Sequence, residues 1–395
     1  MDGLSLDRDP IYLNVCTITG INSNSSQNLQ NQPATITFKN EDTIANNPDN
    51  YYLSLNRAII NTSLCPAYIF PIKNGLSQSD INLSPFSITF EYYSNSNTLI
   101  YSYTRAIYYQ PQLLDQTTLP PSQNGGLQDF TNSPLYYFVY DVAWMLKIFN
   151  DNLNYIYSYF INQLSTNHGI TLDTSTQPFY TFDYSTRLFS LNFVKEYFDQ
   201  SVYPQILMYQ DSVSGDLFGC PNNFYANENL TNYIMTCNDL FNNNVSYPNI
   251  NNKDYLKMTA DNSTLNIWCP VKRILFTISD IPIKKLEIES SFNNIPFEAQ
   301  QNNSLNSISR PNLNIFFDLA VNQDDYGINK NLVQYSVSSI AESRLVALGS
   351  GQPIRNFIIN IYWVDTFGEY RPLSSVANTQ NLIKLALYKK TTMLL

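Results

Sequence analysis

The chain has 395 residues, enough for one large domain or two to three ordinary ones, and its 44% of apolar residues can fill a sizeable core. Only 14% of the residues are charged, against about 25% in a typical soluble protein, so the polar surface must rest on uncharged groups, with about 50 Asn and 30 Tyr to supply them. A net charge of −10 argues against nucleic-acid binding, and the single histidine, His168, excludes zinc sites built on several imidazoles and leaves one candidate base for a catalytic triad.

The first ten residues, with Asp2, Asp7 and Asp9 beside one Arg8, read neither as a basic genome-packaging arm nor as a signal peptide. Strand-like runs follow at Ile11 to Ile18, Ala34 to Phe38, Tyr51 to Ile60, Ala67 to Ile72, Phe86 to Tyr93 and Leu99 to Tyr109. Clusters of Asn, Asp, Pro and Ser such as Asn46-Asn47-Pro48-Asp49-Asn50 separate them. Gln110 to Asn132 carries Pro111, Pro120, Pro121, Gly125 and Gly126 and reads as a connection or boundary.

The period then changes. Ser133-Pro134 reads as a helix start, and Val142, Leu146, Phe149, Leu153, Ile156, Phe160 and Leu164 recur at spacings of three and four, one face of a long helix. Asn167-His168-Gly169 ends it. Phe179 to Phe182 and Arg187 to Leu191 read as a hairpin around Asp183-Tyr184-Ser185-Thr186, and Gln205 to Tyr209 as a further strand. Pro221 to Lys253 is Asn-rich and reads as loop. No run reaches the ~18 apolar residues of a membrane span, since Asp141, Lys147 and Asp151 interrupt the nearest, Leu135 to Ile161.

Strand patterns return at Val271 to Ile278, Lys285 to Glu289, Leu313 to Phe317, Leu332 to Val337, Arg344 to Leu348, Phe357 to Val364 and Leu382 to Tyr388. The reading is a mainly β protein: residues 1–120 and 260–395 are two parts of an antiparallel β-sandwich, and 133–255 is an inserted α/β domain. Two separate β domains joined by a helical linker are the alternative. The insertion is preferred because the C-terminal strands alone leave long sheet edges unpaired.

No catalytic constellation emerges. Phosphate-binding loops, dinucleotide fingerprints and a nucleophile elbow are all missing from the sequence. His168, beside Gly169, suits the C-terminal end of a helix dipole rather than catalysis. Asn322, Asp324 and Asp325 supply oxygen ligands but not the spacing of a calcium loop, and read as a solvated turn. The five cysteines (Cys16, Cys65, Cys220, Cys237, Cys269) are odd in number and scattered, and read as buried thiols. No cofactor or metal is called for. The Tyr and Phe residues lie largely at strand positions, where they fill cores and protein–protein contacts.

The C-terminal third resembles the minor capsid, or penton, proteins of virophages and polinton-like viruses. The residues that carry the likeness are Val271 to Ile283 with Glu287, Asn314 to Ala320, Ile359 to Leu373 and Lys384 to Lys390. Most similar is a strand ending in a turn with Asp365 and Gly368, then Pro372-Leu373, then a last strand. Pro178 to Asp183 and Leu188 to Leu191 are loosely similar to related viral proteins. The resemblance implies a jelly-roll domain in the virion that forms homopentamers at capsid vertices and touches the major capsid protein. It also implies that a domain inserted in a jelly-roll loop projects outward. Asp365, Gly368 and Pro372 are then a structural turn, and the protein is not an enzyme. The other reading is a receptor- or carbohydrate-binding spike that uses the aromatic-rich inserted domain. Under either, no nucleic acid or membrane span is expected.

Overall fold

A computed structural model describes residues 11–18, 34–39, 42–63, 65–72, 82–112, 122–123, 135–173, 177–198, 205–219, 224–226, 232–235, 243–246, 253–281, 283–284, 314–321, 332–336, 344–349, 352–365, 370–373 and 380–390. The chain forms two compact units: residues 1–65 with 270–395, and residues 66–269.

In the discontinuous unit the first flank contributes β1 (Ile11–Ile18), β2 (Ala34–Lys39) and β3 (Tyr51–Asn61). Within the continuous unit lie β4 (Tyr68–Ile72), β5 (Leu83–Tyr93), β6 (Leu99–Tyr108), β7 (Ser122–Gln123) and β8 (Leu135–Val139), followed by helix α1 (Val142–His168). Then come β9 (Phe179–Asp183), β10 (Leu188–Val194), α2 (Lys195–Phe198), β11 (Gln205–Asp211) and α3 (Ser212–Phe218). Short strands β12 (Phe224–Ala226), β13 (Asn232–Met235) and β14 (Asn243–Ser246) precede β15 (Asp254–Thr259) and α4 (Leu265–Trp268). The second flank adds β16 (Arg273–Ser279), β17 (Ile315–Ala320), β18 (Leu332–Ser336), β19 (Val346–Ala347), β20 (Asn356–Val364), β21 (Tyr370–Pro372) and β22 (Gln380–Lys389).

The two flanks build one sandwich. One sheet runs β1-β22-β3-β18 and the other β17-β16-β20-β2, and each contains strands from both flanks. All these pairings are antiparallel. Each sheet has a four-strand path plus one short strand, β19 on β3 and β21 on β20, and the chain crosses between the sheets from β1 to β2 to β3 and from β17 to β18, the interleaved order of a jelly roll. Burial alternates accordingly: Phe357, Ile359, Ile361 and Trp363 of β20 all point inward, as the two-residue period requires. Phe317 of one sheet meets Tyr335 of the other at 4.9 Å between ring centroids.

In the continuous unit, α1 is the organising element. It starts at Val142 because the Asp141 carboxylate accepts the Trp144 N–H, a side-chain cap. The expected start at Ser133-Pro134 is corrected: Leu135 to Val139 is an aromatic, β-branched run that pairs with β4 as a strand. The helix ends where Gly169 turns to φ 67, so that its N–H reaches the carbonyls of Leu164 and Ser165. Six of the seven predicted inward residues are buried, and Leu146 is half-buried.

Aromatic rings hold this helix. Phe149 is in ring contact with Phe70, Phe86, Tyr180 and Phe218, at centroid distances of 6.2, 5.4, 5.9 and 4.7 Å. Phe90 of β5 meets Tyr157 and Phe160, about two and three turns further on. Two amides on α1 then do what a neighbouring strand would do. Asn152 accepts the Tyr108 N–H at 3.1 Å and donates to the Tyr108 carbonyl at 3.0 Å. Asn150 makes the same double contact with Tyr180, at 2.7 and 3.0 Å.

Three sequence expectations need adjustment. β4, β5 and β6, grouped with the first flank on sequence grounds, belong to the continuous unit, β4 in the sheet β4-β8-β7 and the other two in the five-stranded sheet β12-β13-β11-β5-β6. The Asn-rich stretch read as loop contains β12, β13 and β14. The strand expected at Lys285 to Glu289 lies outside the described residues.

Replacing Phe149 by Ala should cost about 3–5 kcal/mol of unfolding free energy, and Asn152→Ala about 1–3 kcal/mol, because the Tyr108 backbone groups lose their partner. Denaturant midpoints of the two variants check both. Two helix-end glycines separate strain from clash. Gly169→Ala meets no atom within 4 Å and should cost about 1 kcal/mol for its positive φ alone. Gly219→Ala, at φ 71, also brings a Cβ to 2.6 Å from the Asn262 carbonyl oxygen and should cost distinctly more in the same measurement.

Candidate functional site

The side chains singled out for chemistry do not converge. His168 is the exposed last residue of α1, its ring 5.6 Å from that of Tyr101. Asn322, Asp324 and Asp325 lie outside the described residues. Among the described residues, no three His, Cys, Asp or Glu side chains gather into a metal-holding group. Cys65 and Cys269 are buried. No helix among the described residues is long and apolar enough to cross a membrane, which leaves β-barrel insertion unaddressed.

Of the turn residues, Asp365 is buried directly after β20. Pro372 stands in β21, whose backbone pairs Tyr362 with Pro372 and Val364 with Tyr370. Leu373 continues this hairpin by donating its N–H to the Ile361 carbonyl at 3.0 Å. Gly368 lies outside the described residues.

What the surface does offer is exposed aromatic and aliphatic side chains. On the sandwich, Ile11 and Tyr12 stand 37% and 48% exposed on β1, the first strand of its sheet, with the Lys384 ammonium 4.0 Å from the centre of the Tyr12 ring. Ile315 opens β17, at the edge of the other sheet. In the continuous unit, the outer face of α1 carries Tyr155 and Tyr159, 53% and 38% exposed. β6 supplies the neighbours: Tyr103 meets Tyr159 at 4.5 Å, and the Arg105 guanidinium lies 3.9 Å from the Tyr155 ring centre and 5.1 Å from that of Tyr108. Composition and period pointed inward for most aromatics. The outward pair was legible as Tyr155 and Tyr159, four residues apart and off the apolar stripe.

Burial pushes the phenols of Tyr68 and Tyr180 well above their ordinary value, so both remain neutral. The clear anion is Asp183, in the β9–β10 turn. It accepts the Ser185 N–H, the Ser185 hydroxyl and the Thr186 hydroxyl at 2.8, 2.7 and 3.0 Å. These donors, the Ser185 hydroxyl first, bring its carboxyl down to about 2.

The described residues thus present a jelly roll and exposed apolar side chains, with no cluster of metal-holding groups among them. The family model of the Sputnik minor capsid protein V18/19 matches residues 11–389. The chain belongs to that family. Among solved structures it is similar to a chain of the Sputnik virophage determined by cryo-electron microscopy, with 19% identity and a TM-score of 0.67 over 97% of this chain and 99% of that one. It also aligns with the mavirus penton protein, at 12% identity and a TM-score of 0.49, over 97% and 100% of the two chains. No curated protein matches. The protein is therefore a structural component of the virion capsid and not an enzyme.

In a shell protein the Asp183 contacts are architecture. Its folded value lies below the usual carboxylate value of about 3.9, so its contribution to stability is complete above that pH and is lost as pH falls through about 2. Carbon-detected NMR should find Asp183 titrating near 2, and Ser185→Ala should raise it towards the usual value. Titration near 4 in the unaltered chain would contradict the turn geometry.

Proposed function

We propose that the protein is the vertex component of its capsid, a pentamer of jelly rolls that contacts the surrounding major capsid protein. Membership of a minor capsid family carries the reading. A closed icosahedral shell tiled by one abundant protein leaves its few five-fold positions to be filled by a scarcer one, and a single jelly roll copied around that axis closes a ring. On this reading residues 1–65 with 270–395 are the shell module, and residues 66–269 are an accessory module inserted in the loop between β3 and β16. Asp365, directly after β20, and Pro372, within β21, serve the β20–β21 hairpin and carry no ligand.

Surface chemistry supports lateral assembly. β1 (Ile-Tyr-Leu-Asn-Val-Cys-Thr-Ile) contains neither charge nor proline, the usual devices that keep an edge strand from pairing. Exposed Ile11 and Tyr12 add apolar area there, and the charge beside them, Lys384, already lies over the Tyr12 ring.

Native mass spectrometry of the purified chain should give a mass of five copies. Tyr12→Asp should reduce that mass while leaving the unfolding midpoint within about 0.5 kcal/mol, the usual range for a surface substitution. A chain that stays monomeric at high concentration, or assembles as trimers, rules the vertex reading out.

A further inference from the structure

We infer that the outer face of α1 is a binding site for a neutral, hexose-containing glycan. This goes beyond the shell role and does not depend on the number of subunits.

The site is a shallow cleft of about 450 Å³ lined by Asp151, Asn154, Tyr155, Ser158, Tyr159 and Asn162. These positions recur every three or four residues, so they form one stripe on the side of α1 away from its buried face. A pyranose needs two things at once: a flat apolar surface for the C–H bonds of one ring face, and hydrogen-bonding groups around it for the hydroxyls. Tyr155 and Tyr159 supply the first. The carboxylate, two amides and a hydroxyl of the remaining four residues supply the second.

Both rings are held in place before any ligand arrives. The Arg105 guanidinium covers one side of Tyr155, and Tyr103 packs against Tyr159. The polar groups are oriented too. Lys147 pairs with Asp151 one turn along the helix, and the Ser158 hydroxyl donates to the Asn154 side-chain Oδ1 at 3.3 Å. The two rings therefore lose less side-chain freedom on binding than unsupported tyrosines would.

Two features select a neutral sugar over other occupants. The Lys147 and Arg105 charges are already engaged, one by Asp151 and the other by two tyrosine rings, and the protein carries a net charge of −10, which disfavours sialylated or sulfated chains. A protein interface core, by contrast, is apolar at its centre and depleted of carboxylates. Here polar groups alternate with the two rings along the whole stripe.

The test uses the full-length chain with oligosaccharides terminating in glucose, galactose, mannose or N-acetylglucosamine, and with sialylated and sulfated counterparts. Saturation-transfer NMR and calorimetry should show binding of at least one neutral sugar, with transfer concentrated on the C–H protons of one ring face. Tyr155→Ala and Tyr159→Ala should each weaken it about tenfold, equivalent to about 1.4 kcal/mol, and Asp151→Asn should weaken it as well. Native mass of these variants should stay that of the parent chain, and each should unfold cooperatively above the temperature of the binding measurement. Absence of binding to any neutral sugar, binding restricted to the anionic ones, or affinity that survives both tyrosine substitutions overturns the proposal. A lower subunit count in Tyr155→Ala or Tyr159→Ala also overturns it, by assigning the face to subunit contact. A chain that is not pentameric but binds glycan leaves the glycan site standing and removes only the vertex reading.

Discussion

The fold depends on β22. This last strand lies between β1 and β3, pairing Ile11 with Leu387 on one side and Leu53 with Leu387 on the other. Without it, β1 and β3 have no connection in their sheet, and the first flank cannot close a core by itself. The residues between β3 and β16 must therefore return the chain to its starting point. They do so within their own unit, because α4 at its end packs against β4 at its beginning. Such an arrangement makes a long insertion tolerable: the entropic cost of a closed loop grows only with the logarithm of its length, about 0.6 kcal/mol per doubling. A folded insert whose ends already meet avoids most of even that cost.

Scarce charge imposes a second constraint, met by asparagine. A side-chain amide has the same donor and acceptor as a peptide group, so it can pair with a backbone in both directions. Asn150 and Asn152 do this for Tyr180 and Tyr108, joining a helix to two strands it cannot pair with directly. Asn381, fully buried in β22, accepts the Asn61 N–H at 2.8 Å at the end of β3. Asn192 donates to the Phe179 carbonyl across the β9–β10 hairpin. A carboxylate in any of these places would lack the donor and leave a buried charge to desolvate. The Asn excess is therefore not only loop filler.

Strand positions were legible wherever the β-branched and aromatic pattern was strong. Phe357 to Val364 and the hairpin around Asp183 were recoverable from sequence because local propensity and burial agree there, and Ile11 to Ile18 because its β-branched residues are strong by propensity alone. Partnership was not legible. Nothing local in Phe86 to Tyr93 says that it pairs with Gln205 to Asp211 rather than with the first flank, since pairing is set by contacts more than a hundred residues away in sequence. The start of α1 failed for a related reason. Ser133-Pro134 carries a helix-start signal, but Leu135 to Val139 finds β4 as a partner, and tertiary pairing overrides it. Short strands β12 to β14 were hidden because Asn disfavours strands intrinsically.

The same separation applies to the surface. Period and composition identify which aromatics face inward, because burial leaves a pattern, but an outward tyrosine leaves only a residue off the stripe. Tyr155 becomes informative once Arg105 and Tyr103, from a strand some fifty residues earlier, are seen beside the helix. A chain with few charges has limited means of marking its surface, so uncharged groups must mark both contacts between subunits and contacts with outside ligands. Edge strand β1 and the outer face of α1 differ in how those groups are arranged. On β1 the exposed apolar side chains Ile11 and Tyr12 flank an edge whose backbone carries no charge or proline, suited to pairing with a protein strand. On α1 each ring is flanked by hydrogen-bonding groups, a spacing suited to a ligand that is apolar on its face and polar at its rim.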